Sequence, residues 1–134
     1  MLQVEKNKLL VTNAFNQLYN QQRYDKETMH QYFSKDFFLY VNGKIKKLDT
    51  LIDQLAQQFQ KFESMHIKFL EILADKDKVS SIHILEVISK NKEKQLWQGC
   101  ALFYIEQSKI VRAFENVGVI ENPDNDPLLS YFSG

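Results

Sequence analysis

Cysteine is nearly missing: Cys100 is the only one in 134 residues. No intrachain disulfide can form, which fits a reducing compartment, and no second cysteine stands by to complete a thiolate metal site. Glycine is scarce too, and four in all leave little room for a Gly-rich phosphate loop. Charge of one sign is also absent. The 17 basic and 17 acidic residues cancel to zero, no five-residue block of one sign occurs, and a nucleic-acid partner is thereby disfavoured. The same balance weakens the self-repulsion that holds copies of a chain apart. Long apolar runs are missing as well. The longest, Cys100–Ile105, falls far short of the roughly 20 residues of a membrane-spanning helix. Met1–Lys6 holds no apolar core of a signal peptide. These absences lead to the expectation of a cytoplasmic protein without membrane or nucleic-acid partners, and the length suits one domain over residues 1–134.

What is present is periodicity. Val4, Val11, Phe15 and Leu18 recur at helical spacing, so residues 4–21 read as an amphipathic helix. Asp25 can cap a short second helix with Met29, Tyr32 and Phe33 on its apolar side. Phe37–Val41 runs into Asn42-Gly43, a turn dipeptide that predicts a hairpin with Lys44–Leu48. Leu51, Ile52, Leu55, Phe59 and Phe62 then mark a third helix starting near Asp49 or Thr50. Four strand-like segments follow, Met65–Leu73, Val79–Ser89, Leu96–Ile105 and Ile110–Val119, joined by short polar turns. Turns this short force antiparallel neighbours. The expected class is α+β: three N-terminal helices and a short hairpin packed on a curved antiparallel sheet, with a pocket between the layers.

Strand parity adds more. In Leu96–Ile105 one face is Trp97, Gly99, Ala101, Phe103 and Ile105, and the other is Leu96, Gln98, Cys100, Leu102 and Tyr104. Both are largely apolar, whereas a sheet with one wet face alternates. The second face therefore calls for cover, and a second copy of the chain, a homodimer, is the economical one. Residues 120–134 form a tail: polar from Glu121 to Pro127, then apolar at Leu128–Phe132, and expected to dock on its own domain, lid a pocket or reach a partner subunit.

The order of elements resembles the nuclear transport factor 2-like superfamily, in particular its SnoaL-like branch. The matching residues are Ala14-Phe15-Asn16 with Leu18-Tyr19-Asn20, Tyr32–Phe37, Val41-Asn42-Gly43-Lys44, His66-Ile67, Asp77-Lys78-Val79 and Lys109-Ile110-Val111-Arg112. The resemblance implies a cone-shaped fold, which hosts isomerases, dehydratases, cyclases, hydrolases and non-catalytic binding modules alike. Ketosteroid-isomerase-like members bind the oxyanion with a helix-1 tyrosine, and the matching position here is Phe15. Their base aspartate falls in Leu39-Tyr40-Val41. The aspartate that they and the SnoaL-like cyclases carry before the Lys-Ile-Val turn corresponds to Ala101. A steroid-isomerase or polyketide-cyclase mechanism is thus disfavoured.

The remaining polar chemistry centres on Glu115. A regular hairpin register points Val111, Ala113, Glu115 and Val117 to the same interior as Trp97 and Ala101. Glu115 is then either an acid whose pKa desolvation raises, fit for acid–base work, or a rim group paired with Arg112 or a lysine. Tyr40 stands where related sequences often carry a cavity-facing histidine, and it could donate a hydrogen bond to a ligand. His83 could pair with Glu115 and act as base, or pack with one nitrogen satisfied. His66 reads as outer-face and His30 as exposed. Neither metal nor cofactor is implied: the three histidines show no ligand spacing, His83 and Glu86 fall on opposite strand faces, and Cys100 reads as a packed apolar residue. The expected function is a small-molecule-binding domain with an apolar pocket lined by Phe15, Tyr40, Phe59, Trp97, Ala101, Phe103 and Glu115. Catalytic candidates are Glu115, Tyr40 and His83, in an isomerase- or dehydratase-like reaction on a small hydrophobic molecule. The alternative is a non-catalytic ligand-binding or dimerising module.

Overall fold

The computed structural model describes residues 1–121; the Leu128–Phe132 segment lies outside them. Helix α1, Gln3–Phe15, buries Val11 and Ala14. It passes into a π-helical turn, Asn16–Asn20, that buries Leu18. Within α1, the buried Asn7 donates from Nδ2 to the Lys76 carbonyl at 3.1 Å and ties the helix to the turn between the third and fourth strands. Helix α2, Lys26–Tyr32, starts where Asp25 accepts from the Thr28 N–H and hydroxyl, at 3.1 and 2.8 Å. Those bonds, the backbone one first, hold the Asp25 carboxyl below the usual carboxylate range.

Strands β1, Phe33–Val41, and β2, Lys44–Lys47, form the hairpin, with Asn42 and Gly43 both at positive φ as a two-residue turn requires. Helix α3, Leu48–Lys61, has no side-chain cap and buries Leu48 and Leu55. The four long strands follow: β3 Phe62–Asp75, β4 Lys78–Ser89, β5 Lys94–Glu106 and β6 Lys109–Ile120. Phe62, expected on the third helix, opens β3 instead.

The sheet has six strands in the order β2-β1-β6-β5-β4-β3. It is mixed rather than wholly antiparallel, because β1 runs parallel to β6. The chain reaches β3 at the far edge through α3 and walks back one hairpin at a time, so β6 arrives beside β1 running the same way. The long route between them is what a parallel neighbour needs. Two bulges correct the simple parity count. Leu70 is the extra residue between the Phe69 and Glu71 pairings and turns to the outer face, where it packs on Ile84, Leu96 and Ile120. Val111 is extra between Ile110 and Arg112, so Ile110 rather than Val111 enters the core.

The helices cover one face of the sheet. Val11, Ala14, Phe33, Phe37, Val79, Phe103 and Ile110 form the centre of the buried core between the layers. No helix among the described residues is long and apolar enough to cross a membrane.

Candidate functional site

A cavity of about 250 Å³ opens between the helices and the inner sheet face. Phe15, Phe37, Leu55, Met65, Trp97 and Phe103 supply much of its apolar lining. Its polar groups are few: Tyr19, Lys46, Gln54, Gln58, His83 and Glu115. A concave apolar site with a few polar groups is the usual form of a small-molecule pocket.

His83 and Glu115 meet in its wall. Each sits on a strand flanking β5, His83 opposite Gly99 and Glu115 opposite Ala101. Two strand spacings across and two residues along place their backbones roughly 12 Å apart, a gap the side chains close because Gly99 has none. His83 Nε2 and Glu115 Oε2 lie 2.7 Å apart, with the side chains 6% and 19% exposed. On the ring's other side, Ser81 Oγ lies 2.9 Å from Nδ1. Ser81 is buried and outside the cavity lining, so it fixes the ring rather than attacking a ligand. With the Ser81 hydroxyl donating to Nδ1, the Nε2–H donates to Glu115, and Glu115 Oε1 is left for chemistry. Phe15 stacks on the imidazole with centroids 6.5 Å apart, and Phe69 meets it edge-on at 5.7 Å.

Two asparagines hold the surrounding backbone. Asn42 exchanges both hydrogen bonds with the Val117 backbone, at 2.9 and 3.0 Å, and its own N–H donates to the Glu115 carbonyl. Asn20 does the same to Ile67, at 3.3 and 2.9 Å, and anchors the π-helical turn on β3. That turn presents Tyr19 to the cavity beside Phe15, the rings near-parallel with centroids 6.2 Å apart. Burial, with the nearby Glu115 charge added, pushes the Tyr19 phenol well above its ordinary value. Tyr19 therefore stays a neutral hydroxyl, able to donate.

The residues expected at the site divide. Phe15, His83, Trp97, Phe103 and Glu115 line the cavity. Glu115 is not stranded among apolar neighbours, because His83 partners it. Arg112 does not reach it; it lies over the Tyr104 ring at 4.2 Å and near Glu106. Tyr40 is displaced to the outer face, 41% exposed and packed on Phe114, because alternation from Phe37 sends Leu39 and Val41 inward. Phe59 stacks on Tyr24 behind the wall, and Ala101 is packed in the core beneath the pair. Cys100 is exposed on the outer face rather than packed. His30 and His66 are exposed. No group of three metal-ligating side chains occurs among the described residues. Reading the sequence had given Tyr19, Gly99, Ser81 and Lys46 no role. Two signals were available: Tyr19 follows Phe15 by one helical turn, and a glycine inside a strand marks a close approach.

The SnoaL-like domain profile matches residues 12–113. The chain belongs to the SnoaL-like domain family. Through that family it falls within the nuclear transport factor 2-like superfamily. Solved structures repeat the fold. An LEH-like epoxide hydrolase of M. tuberculosis superposes with a TM-score of 0.73 at 14% identity, covering 87% of this chain and 86% of that one. A SnoaL-like polyketide cyclase from Agrobacterium tumefaciens gives 0.66 at 14% identity, covering 81% and 88%. PrhC from Penicillium brasilianum gives 0.74 at 7% identity, covering 86% and 82%. No curated protein matches the chain by sequence. At such identities the SnoaL-like likeness speaks for the fold alone.

Proposed function

We propose that this SnoaL-like domain is an acid–base enzyme acting on a small, mostly hydrophobic carbonyl compound, in an isomerase- or dehydratase-like reaction. The observation that carries the reading is the 2.7 Å His83–Glu115 hydrogen bond in the wall of an apolar cavity. Glu115 Oε1 removes a proton from the carbon next to the substrate carbonyl, and the electron pair moves onto the carbonyl oxygen. The Tyr19 hydroxyl donates to that oxygen, the role a developing oxyanion requires. The proton then returns to another carbon in an isomerisation, or leaves with a departing hydroxide as water in a dehydration. His83 orients the carboxylate, and Ser81 orients His83. The cone-shaped enclosure implied by the resemblance suits such a reaction, since it shields the enolate from water.

A homodimer belongs to the same reading. The outer sheet face leaves Tyr40 and Phe114 41% and 39% exposed beside Ile82, Leu102 and Tyr104. A second copy of that face is the cover with matching chemistry.

Deuterium exchange tests the chemistry. Small enolisable ketones that raise the melting temperature are incubated with the protein in D2O and followed by NMR. Wild-type protein should exchange the protons next to the carbonyl, and Glu115→Gln should abolish exchange while still binding. A ketone that binds but exchanges no faster with wild type than with Glu115→Gln supports the non-catalytic binding module instead.

A further inference from the structure

Lys46 is the only lysine or arginine that lines the cavity. It is half-buried, while Lys44, Ile45 and Lys47 around it on β2 are exposed. The hairpin register sets it opposite Leu39, which lies opposite Ala113, so its stem starts on the wall that carries Glu115. Its ammonium donates to Gln54 Oε1 on α3 at 3.1 Å, and no carboxylate pairs with it among the described residues. An ammonium drawn toward an apolar cavity and answered only by a neutral amide retains unspent attraction for an anion. The opposite sign, Glu115, lines the same cavity. From Lys46 to Glu115 is two strand spacings across and two residues along, roughly 12 Å between backbones. Lys46 and Glu115 form no ion pair, so a cation and a carboxylate–imidazole pair stand at separate places in the lining of one cavity.

We propose that the molecule this cavity takes is an apolar carboxylic acid, bound with its carboxylate at Lys46 and Gln54 and its hydrocarbon body along Phe37 and Trp97. This rests on the reading of the cavity as a small-molecule site. One ammonium and one amide suit a singly charged carboxylate, whereas a phosphate calls for a denser set of donors. Glu115 repels an anion and so favours placing the ligand's carboxylate at Lys46. The far end of the ligand, not its acid group, faces Glu115 and Tyr19.

The test compares matched ligands by calorimetry at low salt and pH 8: octanoate against octanamide, and 4-phenylbutyrate against its amide. Wild-type protein should prefer each acid by about tenfold, the scale of one charge-assisted hydrogen bond, and added salt should erode the preference. Lys46→Gln should abolish the preference and leave amide binding in place, while Lys46→Arg should keep it. Equal binding of acid and amide to wild type, or a preference that survives Lys46→Gln, overturns the assignment of Lys46 alone. Binding of neither acid nor amide overturns it together with the pocket reading.

Discussion

Substituting Gly99 by alanine should separate the site from its scaffold. A Cβ at Gly99 would sit inside contact distance of His83 Nε2, 2.9 Å from His83 Cδ2 and 3.0 Å from Glu115 Oε2. The ring has nowhere to retreat, since Phe15 and Phe69 flank it and Ser81 holds Nδ1. The new methyl must therefore break the His83–Glu115 bond or shift β5. A hydrogen bond to a charged group contributes about 1.5–3 kcal/mol. Replacing glycine by alanine inside a strand returns about 0.5–1 kcal/mol of backbone entropy. The net cost of Gly99→Ala is then about 1–2 kcal/mol. Urea unfolding followed by the fluorescence of Trp97, the only tryptophan, measures it. In a His83→Ala background the obstructing ring is gone, and Gly99→Ala should be neutral or stabilising. The coupling between the two sites should reach about 1.5–3 kcal/mol in a double-mutant cycle. An equal cost of Gly99→Ala in both backgrounds would refute the idea that this glycine exists to admit the pair.

Tyr19 gives a pH signature. Its folded pKa is raised, so the stability tied to its protonated phenol is complete below the unfolded value of about 10 and lost as pH rises toward the folded one. Tyr19→Phe should flatten the loss of urea stability above about pH 10, and identical alkaline slopes for the two proteins would count against a buried phenol beside Glu115. For the outer face, sedimentation should show a two-fold dimer at micromolar concentration, and a monomer there would remove the second copy from the reading.

How far the sequence could be read turns on particular residues. The polar turns between the long strands fixed their antiparallel order, and the alternation from Trp97 to Phe103 placed Glu115 inside, because a regular hairpin leaves only one register that buries an apolar face. The count slipped at Val111, where a bulge adds a residue that no apolar pattern announces. It also slipped at Tyr40. Phe37–Val41 is apolar on both faces, so alternation alone could not orient it, and the resemblance pointed the tyrosine inward. The parallel pairing of β1 with β6 was hidden for a different reason. It joins segments at opposite ends of the chain, and no local turn encodes it. The π-helical turn that delivers Tyr19 was likewise invisible to a 3.6-residue period.

The positions that the resemblance aligns with the family's acid and phenol are not the ones that bring such groups to this cavity. The resemblance sets Ala101 where the SnoaL-like cyclases place an aspartate, and Phe15 where related isomerases place a tyrosine. Yet Ala101 is the ladder partner of Glu115, and Phe15 lies one helical turn before Tyr19. A carboxylate from the neighbouring strand and a phenol from the next turn line the cavity instead. Gly99 makes the His83–Glu115 contact feasible, since an acid on β6 can meet a histidine on β4 here only across a residue without a side chain. The glycine, the histidine and the glutamate thus pack as one unit, with Ala101 the ladder partner of Glu115. Restoring an aspartate at position 101 alone would bring a second carboxylate up against Glu115, and their repulsion would disfavour the ionised form of both.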